Sequence, residues 1–208
     1  MGTHLADSLA LAGRREERKA RNRAKLLSAA RRVFATKGLG EATARDIVRE
    51  TDLATGTFYN YFDSKEDAFR ALLEQLAQKA HAAVSAQRKR PGASLEERIH
   101  GAYRAYFEIA VEDAELFAVF RRNAGVVALM PEDALFQAGV AELFADLGDW
   151  VAAGDLPEVD VGYLATAMAG TGFQLAAHLM EREPPDVEAA AHFCTRLFMG
   201  GIPALPEA

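Results

Sequence analysis

The sequence predicts an all-α chain in two parts, a three-helix unit at the front and a larger helical domain behind it. Three observations carry that expectation. Ala, Leu, Glu, Arg and Phe dominate, β-branched residues are sparse, and apolar side chains recur at the helical period with no alternation long enough for a strand. Helix caps and breakers divide the chain into short segments. Charge is split: residues 1–65 hold 13 Lys/Arg against 8 Asp/Glu, whereas residues 66–208 hold 11 against 22, so the overall −6 conceals a basic front. Only that front is suited to a polyanion.

The 208 residues are half hydrophobic, and no apolar run approaches the ~18 residues of a membrane span. The start, MGTHLADSLALAG, has no basic segment ahead of its apolar patch and is interrupted by Asp7. Residues 1–21 are therefore expected to be a flexible basic extension and not a signal peptide. Cys194 is the single cysteine, which excludes an internal disulfide and fits a reducing cytoplasm. It reads as a small buried apolar side chain.

The first helix is expected from about Asn22 to Lys37, where Leu26, Leu27, Ala30, Val33 and Phe34 fall on one stripe. Gly38 can then take the left-handed conformation that closes a helix. Thr43 caps a short second helix, its hydroxyl placed for the Asp46 amide and Asp46 for the helix N-terminus. Ile47 and Val48 supply the buried face. Thr51–Asp52–Leu53 makes the turn, and Thr55 caps a third short helix ending near Phe62. Asp63–Ser64 caps the next, a long helix lined by Phe69, Leu72, Leu73, Leu76 and Ala80 and stopped by Pro91–Gly92. Further helices are expected at roughly 95–112, 114–123, 131–153, 159–182 and 185–199.

Two short helices joined by a tight turn, after a longer supporting helix, form a helix-turn-helix pattern over residues 22–65. Its last segment, TGTFYNYFDSK (residues 55–65), interleaves four rings with hydroxyls, an Asn and a Lys. Phe58 and Phe62 are four apart and anchor the segment. Thr55, Gly56, Thr57, Tyr59, Asn60 and Tyr61 fall largely outside that face, where hydroxyls, amides and rings can meet base edges, thymine methyls or phosphates. Lys65 can pair with a phosphate. In RREERKARNRAK (residues 14–25), Arg14, Arg15, Arg18, Lys19, Arg21, Arg23 and Lys25 read either as a solvated helix start or as an arm along the DNA backbone.

LLSAARRVFATKGLGEATARDIVRE, then TGTFYNYF, then SKEDAF resembles, in order and spacing, the tetracycline-repressor (TetR) family of bacterial transcriptional regulators. The likeness covers residues 24–75; beyond them only length and helical character agree. It implies that Thr43 and Arg45 open the second helix against DNA, that Thr55, Gly56, Thr57, Tyr59 and Tyr61 line the recognition helix, and that Lys65 holds the backbone. Where the family often has Ala-Gly-Val in the turn, this chain has Thr51–Asp52–Leu53, so Asp52 is expected to take positive φ with slight strain. The resemblance further implies that residues 66–208 serve ligand binding and dimerisation.

Within that second part, Ala165, Ala169, Gly172 and Ala176 make a nearly flat helix face. Val187, Ala190, Ala191, Cys194, Leu197 and Phe198 make a stripe on the last helix. Two such helices from each of two subunits would form a four-helix interface, and two-fold symmetry would match an inverted-repeat operator. Each face can equally meet the subunit's own core. An effector pocket is expected among the rings, with Tyr103, Phe107, Phe117, Phe120 and Phe144 as lining. Arg121, Asn123, Thr171, Gln174 and His178 are its expected polar anchors. A hydrophobic or amphipathic effector, fatty acyl or aromatic, suits it better than a sugar.

Catalytic and metal signatures are missing. There is no G-x-S-x-G elbow, and GTGFQL lacks the third glycine and the preceding strand of a dinucleotide loop. The five histidines, His4, His81, His100, His178 and His192, show no i, i+4 pairing with one another. Neither cofactor nor metal nor enzymatic activity is expected. The sequence thus describes a homodimeric repressor released from its operator by a small molecule. The alternative is a ligand-independent architectural DNA-binding protein.

Overall fold

The computed structural model describes residues 2–123, 125, 134–201 and 203, and their side chains except at 2–12, 55 and 134–138. Among the described residues every regular element is helical, in the order α1 (Gly2–Glu41), α2 (Ala44–Arg49), a 3-10 helix (Thr55–Asn60), α3 (Lys65–Arg88), α4 (Leu95–Glu112), α5 (Ala114–Arg122), α6 (Ala134–Ala152), α7 (Val161–Leu179) and α8 (Val187–Gly201). The all-α expectation holds, with a helix-turn-helix at the front. No helix is long and apolar enough to cross a membrane among those residues.

The chain divides into two compact units, residues 1–73 with 118–124, and residues 74–117 with 125–208. The first therefore includes the end of α5, where the sequence suggested a boundary at residue 65. Its core is the expected stripe: Leu26, Ala30 and Phe34 of α1, Ile47 and Val48 of α2, Phe58, Phe62, and Phe69 and Leu72 of α3 are all buried. Phe34 and Phe69 meet edge to face at 5.5 Å, the favoured arrangement of two ring quadrupoles.

Three local features of this unit differ from expectation. First, α1 begins at Gly2, so the flexible extension is drawn as helix. Residues 14–25 are mostly strong helix formers, and no proline interrupts them. Second, no described non-glycine residue has positive φ, so Asp52 carries no such strain. The turn closes differently: the Thr51 hydroxyl donates to the Val48 carbonyl at 2.8 Å and accepts from the Leu53 amide at 3.2 Å, and the Lys25 ammonium holds Asp52 at 2.8 Å. Third, the short third helix is 3-10. The Thr57 amide bonds the Ala54 carbonyl at 2.8 Å, and Ala54, not Thr55, is its N-cap, with no side-chain bond.

Gly38 does take the left-handed conformation, with φ 75°, and marks the kink in α1. A Cβ there would also come within 3.3 Å of Arg122 Nε. The expected Thr43–Asp46 box caps α2. The Thr43 hydroxyl, followed by Lys37 at 2.9 Å, lowers the Asp46 carboxyl to a pKa of about 2.

The second unit packs α4, α6, α7 and α8 around Ile99, Tyr103, Phe107, Leu147, Trp150, Leu164, Met168, Ala176, Cys194 and Phe198. Tyr103 sits at its centre, stacked on Phe107 at 5.9 Å and on Phe198 at 6.1 Å, with its hydroxyl donating to the Met168 carbonyl at 3.0 Å. A Cβ at Gly172 would stand 3.3 Å from the Tyr103 ring, so the glycine is what lets α7 come this close. Burial pushes the Cys194 thiol up to about 12, in keeping with a small apolar core residue.

The small residues of α7 mostly face this core: Ala165, Gly172 and Ala176 are buried, as are Ala191, Cys194 and Phe198 of α8. The apolar side chains left in solvent are different ones, Phe193 at 59 % and Leu197 at 48 % exposure, one turn apart on α8, with Tyr163 of α7 and Phe144 of α6.

Candidate nucleic-acid interface and effector cavity

The 3-10 helix sorts its side chains as the spacing predicts. Phe58 and Phe62 are buried and lie 5.5 Å apart, while Tyr59 is 63 % exposed. Gly56 and Asn60 are exposed, and Thr57 and Tyr61 are half-buried. A Cβ at Gly56 would meet nothing within 4 Å, so its backbone is open to a close approach from outside. The Thr55 side chain lies outside the described residues. Arg45, at the start of α2, is exposed. These groups offer donors, acceptors and one flat ring, the set that reads base edges.

Two of the expected contacts are committed elsewhere. Thr43 is exposed, but its hydroxyl both accepts from the Asp46 amide at 3.1 Å and donates to the Asp46 carboxylate at 2.7 Å. Lys65 donates to the carbonyls of Leu39, Gly40 and Ala42 at 2.8, 3.0 and 2.9 Å. Helix ends leave carbonyls without intrahelical partners, and at the kinked end of α1 the ammonium takes that place. Lys65 is thus a clasp in this structure and not a free phosphate ligand.

Along α1, Arg14, Arg15, Arg18, Lys19 and Arg21 are exposed. Arg23 lies over the Phe62 ring at 5.2 Å, and Lys25 is paired with Asp52.

Asn123, expected in the ligand pocket, belongs to the first unit. It is buried, accepts from the Leu39 amide at 2.8 Å and donates to the Val119 carbonyl at 2.7 Å. Replacing it by Ala orphans a buried backbone donor, which costs about 1–3 kcal/mol. Asn123→Ala is therefore expected to lower the unfolding free energy, read from chemical denaturation, by that amount. A change confined to effector affinity, at unaltered stability, would contradict this role.

A cavity lies within the second unit. It measures about 440 Å³ and is bounded by Ala80, His81, Val84 and Arg88 of α3, Ile99, Ala102, Tyr103 and Tyr106 of α4, Val140, Leu143 and Trp150 of α6, and Thr166, Met168, Ala169, Gly172 and Phe173 of α7. That volume falls in the ~300–1,000 Å³ range of small-molecule sites, and the walls are mostly hydrocarbon and ring. Burial raises the pKa values of Tyr103 and Tyr106, so both phenols stay protonated.

Of the ten expected pocket residues, Tyr103 lines the cavity. Phe107 and Phe117 are fully packed core, and Phe144 and Gln174 point to solvent. His178 is exposed beside Glu181, 3.4 Å away, and half-buried Thr171 does not line the space. Phe120 and Arg121 belong to the first unit. The polar features of the wall are instead His81 and Arg88. The Arg88 side chain is 7 % exposed; its Nε lies 2.6 Å from Asp146 and a terminal nitrogen 2.9 Å from Glu142. His81 Nδ1 stands 3.2 Å from Glu142, and the Ser85 hydroxyl donates to the same carboxylate at 3.0 Å. Burial alone would raise the Glu142 pKa, but Lys89, Ser85, Arg88 and His81 together bring it below the usual value. This group joins α3 to α6 across more than 50 positions of chain, a link that local spacing does not reveal.

Residues 26–72 match the profile of the bacterial regulatory proteins, tetR family. The helix-turn-helix-type transcriptional regulators YfiR and YvdT of Bacillus subtilis are similar over part of their length. YfiR is 39 % identical over 59 residues, 28 % of this chain and 29 % of YfiR; YvdT is 46 % identical over 52 residues, 25 % of this chain and 27 % of YvdT. The likeness thus spans under a third of each relative. Among solved structures, the fatty acid degradation regulator FadR of Bacillus halodurans superposes with a TM-score of 0.73 at 20 % identity, covering 86 % of this chain and 95 % of that one. FadR of Bacillus subtilis, in complex with stearoyl-CoA, gives 0.73 at 20 % identity, covering 86 % and 98 %. A regulator from Syntrophomonas wolfei gives 0.70 at 25 % identity, covering 88 % and 97 %. With residues 26–72 matched in sequence and the fold matched across most of its length, the chain carries a tetR-type helix-turn-helix segment within the fold that these regulators share.

Proposed function

We propose that this protein is a repressor that binds an inverted-repeat operator as a homodimer and is released by a hydrophobic or amphipathic effector, of which a long-chain acyl compound is the best fit. The observation that carries the effector class is the cavity of about 440 Å³, apolar on most sides with His81 and Arg88 at its wall. A long hydrocarbon suits the apolar walls, and a polar head suits the side where His81 stands beside Arg88 and its two carboxylate partners. The FadR neighbours, one in complex with stearoyl-CoA, have the same fold and support this reading. DNA binding rests on the exposed set Arg45, Gly56, Tyr59 and Asn60 above buried Phe58 and Phe62. Dimerisation would use the solvent-facing Phe193 and Leu197 of α8 with Tyr163 of α7.

An effector releases DNA only if it prefers the conformation that fits the operator poorly. Near-complete release needs a preference of about 10⁴-fold. α3 begins three residues after Phe62 and extends to the cavity residue Arg88, so it is the element proposed to couple the two sites.

The test is a thermal-shift series of fatty acids and acyl-CoA thioesters of increasing chain length, followed by operator release with the best of them. At ~100 Kd of ligand, stabilisation should reach about 2.7 kcal/mol. Ala102→Phe, which fills the cavity from α4, is expected to abolish both the shift and the release while leaving operator binding intact. Release that persists in Ala102→Phe would place the effector elsewhere. The absence of any shift across the series would favour a ligand-independent DNA-binding protein.

A further inference from the structure

Away from the cavity, α4 and α8 bring together three side chains that the sequence separates. Glu188 and His192 are one helical turn apart on α8, with His192 Nδ1 3.4 Å from Glu188 Oε1. His100 of α4 places its Nε2 3.1 Å from the same oxygen. The two imidazole rings are 4.9 Å apart at 73°. One ligand atom from each of the three residues can be enclosed within 4.8 Å.

We propose that His100, Glu188 and His192 bind a divalent transition cation of the zinc class, bridging α4 and α8. Three arguments meet here. The first is distance. Ligand atoms at 2.0–2.1 Å from a tetrahedral zinc ion lie about 3.3 Å from one another, and the two nitrogen-to-oxygen separations, 3.1 and 3.4 Å, already bracket that value. The second is satisfaction. His100 Nε2 is shielded from solvent and has no aligned hydrogen bond, although a carboxylate oxygen is 3.1 Å away. A buried polar atom needs a partner, and a cation between nitrogen and oxygen would serve both. The third is chemistry. Two imidazoles and one carboxylate suit Zn²⁺, Ni²⁺ or Co²⁺, whereas Mg²⁺ and Ca²⁺ require mostly oxygen. With three protein ligands, the remaining position falls to water or to a small anion.

The site would fasten α4 to α8, the helix that also carries Phe193 and Leu197. Nothing local in the sequence marks it, because His100 is 88 positions before Glu188 and the i, i+4 pair on α8 is Glu–His and not His–His.

The experiment uses the full-length, untagged protein, stripped with chelator and exchanged into metal-free buffer. Calorimetric titration with Zn²⁺ and Ni²⁺ is expected to show one ion per protomer with micromolar or tighter affinity, and a raised melting temperature. Mg²⁺ should give neither. His192→Ala and Glu188→Gln, both at exposed positions, are each expected to weaken Zn²⁺ binding by about tenfold or more while keeping the parent's circular dichroism. Co²⁺ should develop visible d–d absorption in the parent and lose it in His100→Asn. Zn²⁺ affinity that is only millimolar, or equal in His192→Ala and the parent, would mean that the three side chains form ordinary ion pairs and would overturn the assignment.

Discussion

Tyr59→Ala is expected to weaken operator binding by about 10- to 100-fold, the range of one good base contact of ~1–3 kcal/mol. The melting temperature should stay close to that of the parent. The ring is 63 % exposed, and its described ring contact is the edge-to-face one with Phe58 at 5.4 Å, so little packing is lost with it. Phe58→Ala behaves oppositely. It removes a fully buried ring and should cost about 3–5 kcal/mol of stability. The measurement is fluorescence anisotropy on an operator selected from random DNA by the parent protein, at several salt concentrations. A base contact lowers affinity while leaving the salt slope nearly unchanged, whereas loss of a phosphate contact reduces the slope by about one unit. A folded Tyr59→Ala that holds its operator as tightly as the parent would remove the recognition segment from the DNA surface.

The second large effect is expected at Arg88. Its side chain is buried, and Arg88→Ala leaves Asp146, also buried, with only the distant Lys89 ammonium at 4.0 Å among its ion-pair partners. Removing one partner of a buried pair costs about 3–5 kcal/mol, mostly from the charge left behind. Chemical denaturation at neutral pH should show a loss of about that size. Adding Asp146→Asn to Arg88→Ala should recover part of it, because the stranded charge is then gone. The pH dependence has a definite sign. Glu142 has a folded pKa below its ordinary 4.5, so its contribution is fully present above that value and disappears as pH falls through the lower folded one. Loss of Arg88 weakens that contribution, so the gap between variant and parent should narrow on acidification. A gap that widened would assign the stabilisation to another group.

Much of the fold was legible because helical period, caps and breakers are local signals. The Thr43 box, the left-handed Gly38 and the Phe58–Phe62 anchor are each decided within a few residues. The outward position of Tyr59 beside buried Phe58 and Phe62 was legible for the same reason. What the sequence concealed are the contacts made between distant segments. Lys65 looks like a free cation until the carbonyls of Leu39, Gly40 and Ala42 are seen around it. Asn123 looks like an effector anchor until it is found on the Leu39 amide. The cavity went astray at its polar residues. Gln174 and His178 interrupt an apolar run, yet a helix has an outer side as well as an inner one, and theirs is the outer. The polar wall that exists, His81 and Arg88, sits on α3, whose sequence reads as an ordinary charged surface.

Asn123 has a consequence for engineering. Residues 118–124 belong to the same compact unit as the helix-turn-helix, and Asn123 is the side chain that satisfies Leu39 beside the Gly38 kink. A chimera that grafts only residues 1–73 onto a foreign domain would discard that support, 50 positions beyond the apparent end of the front unit. Swaps in this scaffold should therefore take two pieces of chain, or else supply another acceptor for the Leu39 amide.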